Sequence, residues 1–141
     1  MSGRNLLAGL PAGVKARLRK GAQPKWVAPM LATPTDECFS RQGWLFEPKW
    51  DRECCLAFRR GRDLNLFSRN RIRLNAKYPE VVQAIHQQET TSFIVDGEIV
   101  TFDGEITSFA KLQARVEHPS AELIRKVPVW FCVFDLLYLD R

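Results

Sequence analysis

No stretch of this sequence approaches the roughly 20 consecutive apolar residues needed to cross a bilayer. Its opening, MSGRNLLAGLPAGVKARLRKG, lacks the apolar core and small-residue cleavage site of a secretory leader. The cytoplasm is therefore the expected compartment, with no membrane partner. Cysteines are few: Cys38, Cys54, Cys55 and Cys132 show no C-x-x-C spacing, and only His86 and His118 could join them. That arrangement argues against a structural zinc site and for reduced, buried thiols. Internal repeats and low-complexity tracts are missing as well. Acidic residues are absent from positions 1–35, which carry six Lys/Arg.

What is present suits one soluble, globular domain. The chain has 141 residues, 45% of them hydrophobic and 26% charged, enough to bury a core. Its net charge of +5 is unevenly placed. A second basic block at 49–77 sets nine Lys/Arg against Asp51, Glu53 and Asp63, whereas positions 78–141 hold five basic and ten acidic residues. Two such blocks suit a polyanionic partner, either nucleic acid or a nucleoside triphosphate. A solvated basic face accounts for the same surplus.

Composition divides the chain into a basic, Gly/Pro-punctuated extension over 1–27, with a short helix around Val14–Lys20, and a folded domain over 28–141. Within the domain, Trp44–Asp51 alternates like a strand: Trp44, Phe46 and Trp50 share one face, and Leu45, Glu47, Lys49 and Asp51 the other. Pro48 suits only an edge or a bulge of such a strand. Cys54–Phe58 and Leu64–Phe67 are expected strands joined by an Arg-rich turn containing Gly61. Pro79 is placed to open a helix through PEVVQAIHQQ. Phe93–Phe102 and Glu105–Thr107 are expected strands around Asp103-Gly104, Ser108 a helix cap, and Val127–Leu139 a long apolar strand. The expected class is α+β, with antiparallel sheets flanked by helices.

Lys49 stands out because a strongly hydrated amine interrupts an apolar run. A surface ladder of alternating charges is one explanation. The other is a partly desolvated amine that attacks as a neutral nucleophile. Three further places carry chemistry. Asp96 and Glu98 flank Gly97, where a missing side chain lets another group approach the backbone. Arg69 follows a strand directly and can clamp an anion. Phe134 and Asp135 interrupt an aliphatic run. Each has an ordinary structural explanation when taken alone.

In chain order, EPKWD, SRN, VDGE and VFDLL resemble the adenylation domain of ATP-dependent DNA ligases, in the covalent nucleotidyltransferase superfamily, and most of all the bacterial end-joining type. The resemblance runs from Pro29-Met30-Leu31-Ala32 to the last residue. It implies an ATP-grasp-like fold and repair or recombination of DNA. It implies that Lys49 attacks the α-phosphorus of ATP to give lysyl-AMP, and that Glu47 lies near the adenine. Arg69 would contact ribose or phosphate, Glu98 would accept from the ribose hydroxyls, and Phe134 would stack on the base. Mg²⁺ or Mn²⁺ is expected with the phosphates. The expected partners are nicked or broken double-stranded DNA, end-joining proteins, and a complementing polypeptide.

The sequence departs from that family in two respects. The pattern K-x-D-G-x-R reads here as Lys49-Trp50-Asp51-Arg52-Glu53-Cys54, so Arg52 replaces a glycine and Cys54 an arginine. If position 52 required positive φ, Arg52 would strain the backbone, and a thiol at 54 does not replace a fixed-charge donor. Family members also continue with a further acidic strand motif, a lysine-bearing motif and an oligonucleotide-binding barrel. None of these is in this sequence, so the expected domain is C-terminally incomplete. A strand as apolar as Val129–Leu139 belongs inside a sheet, covered on both faces, and here it is expected to lack partners. An active ligase, a catalytically dead remnant that only binds nucleotide or DNA, and an unrelated basic nucleic-acid-binding module are the competing functions. RNA ligases and capping guanylyltransferases share the lysine motif.

Overall fold

Pro11 opens the first helical turn, α1 (Ala12–Lys15), in the computed structural model, which describes residues 7–47, 49–50, 52–117 and 120–139. This helix is shorter and earlier than the expected Val14–Lys20. It buries no residue, and so short a helix without packing gains little from hydrogen bonds alone. The expectations at Pro48 and Asp51 fall outside the described residues.

Strands β1 (Glu53–Arg60) and β2 (Asp63–Phe67) form a hairpin about Gly61, whose φ of +61° favours a residue without a side chain. Helix α2 (Pro79–His86) follows, with Pro79 in its first turn as expected. Next comes the long strand β3 (Ser92–Val100). The short pair β4 (Phe102–Asp103) and β5 (Ile106–Thr107) turns at Gly104. Helix α3 (Phe109–Glu117) leads to α4 (Ala121–Lys126) and the final strand β6 (Trp130–Leu139). Helix α4 occupies the stretch before the apolar strand. This helix was not among the expected elements; the Ser120 hydroxyl caps it by accepting from the Leu123 N–H at 3.1 Å.

The main sheet is antiparallel throughout, in the order β2-β1-β3-β6. One face carries the larger core, in which Cys55, Ala57, Leu66, Leu74, Tyr78, Val81, Ile99 and Leu112 are buried. The second face holds Leu56, Phe58 and Ile94 under Trp26, Val27, Phe67 and Tyr138. Trp26 stacks on Phe58 at 5.5 Å, and the Arg71 guanidinium lies 4.7 Å from the Trp26 ring centroid. Gln23 donates to the carbonyls of Arg59 and Phe93 and accepts from the Arg60 side chain. Residues 23–27 therefore strap the sheet.

Two buried arginines connect helices to this core. Arg59 donates to the carbonyls of Ile85 (2.6 Å), Gln88 (2.9 Å) and His86 (3.3 Å), satisfying the C-terminal end of α2. Arg115 lies over the Tyr78 ring, pairs with Glu80 at 2.5 Å and donates to the carbonyls of Val127 and Lys77.

Strand β6 pairs only with β3 among the described residues. Val133, Phe134 and Leu136 each keep about half of their surface exposed. Gly97 pairs with Val133 and Asp96 with Asp135, leaving Phe134 as an extra residue. Leu137 is a second extra residue, between the partners of Ile94 and Val95. Gly97 meets β6 so closely that an added Cβ would lie 2.5 Å from the Cys132 carbonyl oxygen and 3.0 Å from the Val133 Cα.

Gly97→Ala is expected to cost about 1–3 kcal/mol, because backbone atoms of β6 must move. Arg59→Met, which leaves the helix-end carbonyls unpaired, is expected to cost about 2–4 kcal/mol. Both are read from the urea midpoint, and an unchanged midpoint would contradict the packing described.

Candidate functional site

The segment preceding β1 does not form the expected strand. Residues 44–47 are irregular and exposed, after a turn in which Gly43 takes a φ of +87° and Trp44 N–H donates to the Arg41 carbonyl. Alternation along a sequence supplies side-chain faces but no neighbour for the backbone, and none of the described strands pairs with this segment. The aromatics gather locally instead, with the Phe39 ring 4.8 Å from Trp44 and 5.7 Å from Phe46.

Lys49 is exposed rather than desolvated. It lines an open cleft of about 660 Å³ at the start of β1, together with Trp50, Arg52, Arg69, Lys77 and the inner side of α3 around Leu112 and Val116. Arg69 is placed there by the tight turn after β2. Ser68 N–H donates to the Ile72 carbonyl, Ser68 Oγ accepts from Ile72 N–H, and Arg71 takes a φ of 62°. Asn75 fixes the base of the turn by accepting from Leu66 N–H at 2.9 Å and donating to the Leu64 carbonyl at 2.8 Å. Four cationic side chains against two acidic ones, Glu53 and Glu117, thus border one cleft, a surplus suited to a polyanionic ligand. Lys77 is balanced by Glu53 at 3.6 Å, and Glu53 also accepts from the buried Tyr78 hydroxyl.

Asp96 and Glu98 project from the second face of β3, as the spacing implied. The group approaching Gly97 between them is the backbone of β6. Glu98 pairs across the sheet with Cys54 on one side and Cys132 on the other. Burial pushes the Glu98 carboxyl above its usual range; the Arg52 guanidinium opposes this, while Asp96 and Glu47 add to it. Burial and the neighbouring Asp135 likewise push Asp96 up, against a backbone hydrogen bond from Gly97. Glu47 is exposed, and the bulged Phe134 sits on the uncovered edge strand.

Arg52 Nε pairs with Glu98 Oε1, and Arg52 Nη1 donates to the Trp50 carbonyl at 3.2 Å. Arg71 is the only non-glycine residue with positive φ among those described, so Arg52 carries no strain of that kind. Lys49 and Arg69 therefore share the cleft directly, and Glu98 joins them through Arg52. Phe134 and Glu47 do not line it. Sequence reading missed Lys77 and the Arg52–Glu98 pair. No local pattern marks the first, and the second needed the β1–β3 register, which sets position 54 opposite 98.

Most of the chain resembles known proteins. The chain is 34% identical over 122 residues to DNA ligase C of Mycobacterium tuberculosis, covering 80% of this chain and 32% of that protein. It is 32% identical over 120 residues to a DNA ligase of Sulfophobococcus zilligii, covering 81% and 20%. This chain thus spans a third or less of these two relatives. Among solved structures, the ligase domain of LigD from M. tuberculosis superposes with a TM-score of 0.52 at 29% identity, covering 67% of this chain and 29% of that one. A mycobacterial DNA ligase D complexed with ATP and MES gives 0.51 with the same identity and coverage. Residues 29–141 match the family model described as the ATP dependent DNA ligase domain, and the chain belongs to that family.

Proposed function

We propose that this chain carries out the adenylation step of ATP-dependent DNA joining, with residues 28–141 as the N-terminal part of the adenylation domain and 1–27 as a basic extension. The supporting observation is that Lys49 and Arg69, distant in sequence, line one cationic cleft. In this reading the Lys49 amine, having lost a proton to solvent, attacks the α-phosphorus of ATP. An N–P bond forms, the bond to the bridging oxygen breaks, and pyrophosphate leaves with that electron pair. Arg69 offsets charge that builds on the phosphate oxygens. Glu98 accepts from the ribose hydroxyls, while Glu47 and Phe134 act at the base. The adenylate then passes to a 5′-phosphate of nicked or broken duplex DNA, whose 3′-hydroxyl displaces AMP to seal the strand in repair or recombination, in the cytoplasm.

Among the described residues no three His, Cys, Asp or Glu side chains meet to hold a cation. Mg²⁺ or Mn²⁺ is accordingly proposed as a companion of the triphosphate, and no step is assigned to it.

Intact-mass measurement after incubation with ATP and magnesium tests the reading. The chain is expected to gain one AMP, Lys49→Ala to gain none, and Arg69→Ala to slow the gain on the order of 100-fold. No adduct on the folded chain would favour the non-catalytic remnant.

A further inference from the structure

The Glu98 carboxylate sits in a poor environment for a negative charge. Asp96 lies two residues away on the same face of β3, Asp135 pairs with Asp96 from β6, and Glu47 approaches from the loop before β1. The side chains beside Glu98 across the sheet, Cys54 and Cys132, are thiols that give it no charge. Arg52 alone supplies a cation to it among the described residues, and does so with one edge of its guanidinium on one carboxylate oxygen. Arg52 also lines the cleft that holds Lys49 and Arg69. It therefore bridges the acidic face of β3 and the cationic cleft.

We infer that Arg52 is a positioning residue for nucleotide binding: by pairing with Oε1 it orients the Glu98 carboxylate, leaving Oε2 to accept from a ligand hydroxyl. This rests on the proposed function. Arg52 immediately precedes β1 and pairs with Glu98, and position 54, two residues on, lies directly opposite Glu98. An arginine at 54 can therefore reach the same carboxylate from one pleat further along.

The sign of the pH dependence follows. Arg52 is the influence that lowers the Glu98 titration against burial, Asp96 and Glu47. Removing it lets Glu98 protonate at higher pH, so the acid limb of binding moves upward.

The test is calorimetric titration of ATP, between pH 5 and 8, into the unmodified chain, Arg52→Met, and Arg52→Met with Cys54→Arg. Arg52→Met is expected to weaken ATP binding about tenfold at pH 6, to regain much of the loss at pH 8, and to be rescued by the second substitution. Equal affinity and an unmoved profile in Arg52→Met would overturn the inference, leaving ATP binding itself intact. Tighter binding would also overturn it, because the guanidinium would then be competing with the ligand. Failure of the unmodified chain to bind ATP at any pH would overturn the proposed function and this inference together.

Discussion

At Gly97 the backbone of β6 leaves no room for a side chain on β3, and much else depends on that approach. Because position 97 has no side chain, the β6 backbone can lie against β3 at the point where Asp96 and Glu98 leave the opposite face. Strand β3 is hydrogen-bonded on both sides and carries both core residues and site residues. Its rigidity is what a carboxylate needs in order to keep one position. A loop would let Glu98 turn to water and escape its unfavourable charge neighbours; a central strand does not.

The cleft is built by a different strategy. Its cations come from irregular chain, namely the segment before β1 and the turn after β2, fastened by hydrogen bonds from Ser68 and Asn75 rather than by burial. The strap at 23–27 reinforces that turn, since Trp26 contacts both Phe58 of the sheet and Arg71 of the turn. An acid held on a strand and cations held on hydrogen-bonded turns thus border the site by two different means.

Where the sequence was readable, two signals agreed at each place. Gly61 marked a turn between two alternating runs, Pro79 preceded an amphipathic run, and Asp103-Gly104 joined two apolar segments; all three elements formed within a few residues of expectation. Trp44–Glu47 failed because alternation was the sole signal there. The positions of Lys49 and Arg69 were visible as local oddities in an ordered series of motifs. Their convergence depends on the register between β1, β2 and β3, which is a long-range property. Arg52 shows the limit most clearly. Read along the chain it was a misplaced bulky residue, whereas across the sheet it is the counter-ion of Glu98.

The two bulges of β6 bear on how the molecule behaves among its own copies. An apolar edge strand is a template on which a strand from another molecule can add. At Phe134 and Leu137, however, the extra residues break the even alternation of donors and acceptors along that edge. A straight incoming strand finds its hydrogen bonds in step only over short segments. The same irregularity that pushes Phe134 out of register thus acts as a brake on sheet-to-sheet polymerisation.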